Sequence, residues 1–459
     1  MFAGFALQIS AQTYPSMGIS LLGRWDDTLI PPNTSWVHNT YNSCVGWVDS
    51  TGHEYGIIGS QLGTHIIDLA NPANLVEVDR VLGRLSNCEW REYKTYGKYL
   101  YMVSDDPGNN SLMIADLSYL PDSVHVVYDS DSLIVQAHTV FIDGDKMYCG
   151  IVHNHTAAYS MAVYSLANPV QPQFLRALGS DYPIISVVHD MYVRHDTVYA
   201  SAGNQGLYIF IYDPVGNTFS VRDSFITSPS HYNHSSFLSD DSQSLFFTEE
   251  VPDGMDIVSL DVSDPWNITM QGSFHSHQGA TPHNPYIKNN MLYVSYYQDG
   301  LQVFDVSNPV TVSHVGYFDT FPFDTTAFLW PPYQGAWGAY PFLPSGNVLI
   351  SDMQSGLFLV NPDSITGLHD PAPGKAITVS PTCSSGRVVV RLNGVLTGNR
   401  MTIHIMDMAG RTVAVQHFSP HAGNNLCSVD ISRLRTGIYI LGVQPEDGAW
   451  QENVKIIRQ

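Results

Sequence analysis

Apolar and polar residues alternate along most of this chain with a period of two, the period that sends successive side chains to opposite faces of a β-strand. The runs are short and are separated by turn residues such as Lys288-Asn289-Asn290 and Gln298-Asp299-Gly300. One phrase, aliphatic-x-aliphatic-x-Asp-x-Ser/Ala-Asn/Asp-Pro, returns about every fifty residues. It stands as Ile66-Ile67-Asp68-Leu69-Ala70-Asn71-Pro72, again at residues 258–265, and as Val303-Phe304-Asp305-Val306-Ser307-Asn308-Pro309, with fainter copies at 113–118, 163–169 and 210–214. Two alternating runs precede each copy and one follows it, which makes four strands per unit. That spacing is the one expected of a β-propeller blade. No window sustains the 3.6-residue apolar period of a helix, so a helical solenoid is excluded.

Seven units begin near Trp36, Cys88, Ala137, Val188, Tyr232, Thr281 and Ala336. The seventh offers strands at 348–352 and 356–362 and then no outer strand. Residues 19–26 read like the outer strand at 314–319, so the N-terminal strand is expected to complete the last blade and hide its edge. The expected class is all-β. A seven-bladed β-propeller over 17–365, closed by the N-terminal strand, is followed by a linker over 366–375 and a small β-sandwich over 376–459.

Composition fits, with 36 Gly and 27 Pro for turns and 12% aromatic residues for a core. The charge is decisive for partners: 42 acidic against 20 basic residues give −22, which repels nucleic acid and anionic membranes and suits divalent cations or neutral glycan surfaces. Residues 1–11 form an apolar run ending in small residues, read either as a residual signal peptide cut near Ala11 or as a short exposed tail. No other stretch reaches the roughly 18 apolar residues of a transmembrane segment. Five cysteines lack the paired spacing of a structural zinc site. In an exported protein, Cys44 with Cys88, or Cys383 with Cys427, could be bridged, and at least one thiol of the five stays free.

The sandwich carries Asp407-Met408-Ala409-Gly410-Arg411, Leu434-Arg435-Thr436-Gly437-Ile438-Tyr439 and a basic last strand at Lys455-Ile456-Ile457-Arg458. It resembles the type A sorting domain of the type IX secretion system of Bacteroidota, with Ser380-Pro381-Thr382 where such domains open on Pro-Asn-Pro. The resemblance implies export to the cell surface or beyond, with the secretion machinery as a partner; an accessory carbohydrate-binding sandwich is the alternative. The Asp-Val-Ser-Asn-Pro phrases resemble the LVIVD repeat, and the combination resembles the choice-of-anchor B family of surface proteins. That family brings a fold and an address, not a reaction.

Chemistry, if present, is expected from histidines. His38, His138, His189, His234 and His283 each open a unit and each precede a small polar residue, with Glu89 and Trp337 at the matching points of the other two. Asp105, Glu249 and Asp352 recur at the ends of the next strands. Because strands alternate direction, both sets are expected at one mouth of the ring. Imidazoles and carboxylates there suit a divalent metal, whether zinc, manganese, iron or calcium. The imidazoles could equally hydrogen-bond the loops between blades, or work as acids and bases without metal. Trp36, Trp90, Tyr232, Tyr286 and Trp337 are candidates for stacking on a ligand, or for core packing. His153, His155, His231, His275 and His277 lie in less regular loops and are read as solvated. Serine-hydrolase, P-loop, dinucleotide and His-Glu-x-x-His motifs are missing.

Two functions follow. The first is an exported noncatalytic binding module for a protein, glycan or ion. The second is a metal-dependent hydrolase or lyase.

Overall fold

The computed structural model describes residues 14–321, 333–362, 365, 377–380, 383–384, 386–392, 400–407, 411–419, 426–445 and 452–458. The expected residual signal peptide and linker lie outside them. Two compact units divide the chain, Met1–Leu368 and His369–Gln459.

Alternation produces strands throughout. Among the described residues of the first unit they form seven antiparallel sheets, joined by short turns. Sheet one is Tyr41–Val48, Glu54–Ser60, Gly63–Asp68 and Val76–Leu82. The innermost strands of sheets two to six are Arg91–Tyr96, Thr139–Asp143, Asp190–Arg194, Tyr232–Leu238 and Pro285–Lys288. Sheet seven takes Ala336–Tyr340, Val348–Asp352 and Gly356–Asn361 from one end of the unit, and its outer strand, Ser20–Trp25, from the other. Ser16–Met17 adds a fifth strand to sheet six, so the N-terminal segment joins two sheets in succession. The arrangement is propeller-like.

A bulge recurs between third and fourth strands in every sheet, at Ile66/Ile67 and Val303/Phe304 for example, and between Leu21 and Gly23 in sheet seven. The N-terminal strand therefore has the local geometry of an outer strand, not only its place. The repeated phrase has a physical cause. Its Asp ends the third strand and turns its carboxylate back on the chain: Asp261 Oδ1 accepts the Ser263 amide at 2.9 Å and the Ser263 hydroxyl at 2.6 Å, and Asp305 Oδ1 accepts the Ser307 amide at 2.9 Å.

The core is divided among the sheet boundaries. Adjacent residues face opposite neighbours: Ile57 packs with Tyr93 and Leu100 of sheet two, while Ile58 packs with Leu349 and Leu357 of sheet seven. Such a layer lies between each consecutive pair of sheets, and one lies between the seventh and the first, where Trp25 is included. The innermost strand of the seventh sheet also lies against that of the first. Four cysteines, Cys44, Cys88, Cys149 and Cys427, are buried free thiols, which corrects both suggested bridges. Cys44 stands among apolar side chains between sheets seven and one, and Cys88 donates toward the Leu85 carbonyl.

In the second unit, a sheet of Ile377–Ser380, Arg387–Leu392 and Leu426–Asp430 faces a five-stranded one built on Met401–Asp407 and Gly437–Pro445. Val388, Val390, Ile403, Ile405, Leu441 and Val443 fill the space between them. Both sequence motifs are turn devices: Asp407 holds the Arg411 amide at 3.0 Å and its Nε at 2.8 Å, and the Tyr439 hydroxyl donates to the Arg435 carbonyl at 2.9 Å.

A Cβ at Gly23 would collide with the Pro72 carbonyl of sheet one. We expect Gly23→Ala to lower unfolding stability by about 1–3 kcal/mol, the usual range for forced overpacking. Chemical denaturation of the full chain measures it; an unchanged midpoint would mean the N-terminal strand does not seat there.

Candidate functional site

The inner ends of six sheets converge on one cavity of about 50 Å³. Four imidazoles and two indoles line it in sheet order. Ring centroids are separated by 4.3 Å from His138 to His189, 4.3 Å from His189 to His234, 4.4 Å from His234 to His283, 4.5 Å from His283 to Trp337 and 4.6 Å from Trp337 to Trp90. Residues about fifty apart in sequence, and in the case of Trp337 and Trp90 much further, thus stand in van der Waals contact.

Hydrogen bonds across sheet boundaries fix this collar. The Thr139 hydroxyl donates to the His189 carbonyl at 2.9 Å, Thr248 to the His283 carbonyl at 2.6 Å and Ser295 to the Trp337 carbonyl at 3.0 Å. The imidazoles use the same partners. His189 Nδ1 donates to the His234 carbonyl at 3.1 Å and His283 Nδ1 to the Trp337 carbonyl at 2.5 Å. A carbonyl only accepts, so in the neutral ring the proton sits on Nδ1 and the Nε2 lone pair is free. That tautomer is the one a metal needs. His234 Nδ1 is buried without a hydrogen-bond partner among the described residues.

Charge is distributed unevenly. Burial first, then the neighbouring imidazoles, hold the pKa values of His189 and His283 well below the ordinary histidine value. Burial also lowers His234, against the opposing pull of Glu250 and Asp190. His138 differs. Burial is again its largest influence and acts downward, but Asp105, whose Oδ2 lies 2.5 Å from His138 Nδ1, together with Asp190 and Glu92, reverses the sign and raises it. Glu92 lines the cavity with its carboxyl pKa raised by burial, and Lys94 opposes that shift from 3.9 Å.

The other predicted residues fall elsewhere. His38 is exposed with a left-handed φ of 57°, and Asn42 stands at the inner end of sheet one instead. Glu89 does not line the cavity; its neighbour Trp90 does. Glu249 bonds His231 at 2.9 Å, whereas the next residue, Glu250, has its Oε2 3.9 Å from His234 Nε2. Asp352 closes a turn by accepting the Gln354 and Ser355 amides at 2.9 and 2.7 Å. Trp36 is 70% exposed and meets Tyr333 edge-on, while Tyr232 meets His189 edge-on at 5.4 Å. Tyr286 lines the cavity against Phe237 and Phe342. The loop histidines His155, His275 and His277 each face a carboxylate, of Asp131, Asp256 and Asp299 respectively. Sequence reasoning missed Glu250 and the Tyr297 that holds it; only the acidic pair at 249–250 signalled them. Burial raises the thiol of Cys44 to about 12 and those of Cys88 and Cys149 above the ordinary value, so these are poor nucleophiles.

Residues 378–458 match the family model described as a secretion system C-terminal sorting domain. The match places the protein on the cell surface or outside the cell, delivered by the type IX secretion machinery. Among the described residues no helix is long and apolar enough to cross a membrane. A comparison with the curated proteins finds no match. Among solved structures, the periplasmic gluconolactonase of Pseudomonas aeruginosa is 11% identical with a TM-score of 0.49, over 85% of this chain and 99% of that one. A protein from Lactobacillus plantarum is 12% identical with a TM-score of 0.47, over 85% and 98%. Likeness of this degree assigns neither substrate nor activity to the chain.

The opposite shifts of the collar histidines give opposite pH windows. For His189 and His283 the folded state refuses protons that the unfolded chain accepts near pH 6.5, so their contribution is complete above that pH and lost as pH falls below it. For His138 the contribution is complete below about pH 6.5 and lost as pH rises through its raised value. Each limb is worth on the order of 1 kcal/mol per pH unit. Melting the full chain across pH 5 to 9 is expected to show His283→Asn flattening the acid limb and Asp105→Asn the alkaline one; identical profiles would contradict these assignments.

Proposed function

We propose that the first unit is a seven-bladed β-propeller closed by its N-terminal strand, of the LVIVD-repeat, choice-of-anchor B type. Outside the cell it is a noncatalytic binding module whose ligand at the collar is a hydrated divalent cation. The seven apolar layers and the Asp-x-Ser-Asn-Pro turns support the architecture.

One observation carries the function: four imidazoles converge on a space of about 50 Å³. A space of that size admits an ion with a few waters. The long-range field supports cation uptake, since a net charge of −22 concentrates cations around the molecule.

Full-length protein purified without chelator is expected to carry, or take up, close to one divalent cation per chain and to melt at a higher temperature with it. Elemental analysis and melting with zinc, manganese, iron and calcium check this. No uptake of any of the four would overturn the reading. Removing residues 377–459 is expected to leave the protein in the periplasm, as cell fractionation would show.

A further inference from the structure

We propose that His234, His283 and Glu250 form a three-ligand transition-metal site with an open fourth position. This deepens the cation reading above and rests on it. One ligand atom from each residue lies within 4.8 Å of the others, and all three residues are buried. His234 Nε2 and Glu250 Oε2 are 3.9 Å apart, too far for a hydrogen bond. Ligands at 2.0–2.2 Å around a tetrahedral metal sit about 3.3 Å from one another, so side-chain rotations of about 1 Å would close the site.

The surroundings are built for it. Glu250 is 8% exposed, and among the described residues its only ion-pair partner is the distant His234 ring. A lone buried carboxylate is costly unless a positive charge answers it, and a metal ion supplies that charge. The Tyr297 hydroxyl donates to Glu250 Oε1 at 2.6 Å, which occupies one oxygen and leaves Oε2 turned toward His234. Tyr297 holds a left-handed φ of 37°, and its carbonyl accepts the Ala336 amide at 2.7 Å, which ties that conformation to sheet seven. The Trp337 carbonyl fixes His283 through Nδ1. Both bonds act on the far side of a ligand, orienting it as the outer shell of a metal site does.

Two nitrogens and one carboxylate oxygen select the metal. Calcium takes six to eight oxygens and magnesium an octahedron of them, whereas zinc and cobalt accept four mixed ligands. Two His and one acid with a vacant position also match the pattern of sites that keep water or an external group on the metal. Asp105 occupies His138 Nδ1, and His138 lies outside the ligand set, two rings along the collar.

Cobalt(II) titration of the full chain tests the set. We expect one equivalent to bind with the intense visible absorption of a four-coordinate ion, to be displaced by zinc, and to be indifferent to excess calcium. Glu250→Gln and His283→Asn are expected to lose that spectrum, with folding checked by melting. Tyr297→Phe keeps all three ligands and is expected to bind about 10- to 100-fold more weakly with a shifted spectrum. His275→Asn, whose ring pairs with Asp256 and does not line the cavity, is expected to bind as the parent does. Calcium uptake without cobalt, or loss of cobalt in His138→Asn but not in Glu250→Gln, would overturn this ligand set while leaving a cation in the collar. Failure of every cation would overturn both.

Discussion

Pairing of the N-terminal strand Ser20–Trp25 with Gly356–Asn361 is the constraint on which the rest of the first unit depends. Sheet seven has three strands from its own stretch of chain and obtains its fourth from the other end. That strand brings Trp25 into the layer between sheets seven and one, so the first and last sheets share a core. Once the two ends are tied, the inner strands have little freedom to separate. The imidazoles then sit 4.3–4.4 Å apart although no two are close in sequence.

The collar combines two features that follow from the way the inner strands of successive sheets meet. The backbone carbonyls of His189, His234, His283 and Trp337 each accept a side-chain donor of the preceding sheet, so His189 and His283 are oriented by main chain that the fold must place there in any case. The same contact fixes the tautomer, which leaves the other nitrogen unprotonated toward the cavity. Burial then lowers the pKa of these two rings, while the Asp105 carboxylate beside His138 raises that of His138. Imidazoles with opposite shifts therefore stand in one row of contacts.

Much of this was legible in the sequence, because a period of two and a repeat of about fifty residues fix strands and unit boundaries without reference to tertiary contacts. Four of the five flagged unit-opening histidines share the cavity for that reason. Two of the errors share a physical origin, the phase of the strands. Residues one apart face opposite ways, so a single bulge moves the functional side chain by one position. Irregular register at Tyr232/Asn233 and Asn233/Ser235 separates Glu249, on His231, from Glu250, beside His234. The shift between Tyr41 and Cys44 likewise puts Asn42, not His38, at the inner end of sheet one. Trp90 lines the cavity in place of Glu89, although the register of that strand pair is regular. Bulges have no reliable signature in residue type, and hydroxyl-to-carbonyl bonds between sheets have none at all.

Ring closure, the premise of the collar, is tested most directly by amide hydrogen exchange along Ser20–Trp25 in the full chain. Closure predicts protection there comparable to that of Gly356–Asn361 and of the third and fourth strands of the other sheets, lost only on global unfolding. Exchange of these amides at open-chain rates, while the partner strand stays protected, would contradict it.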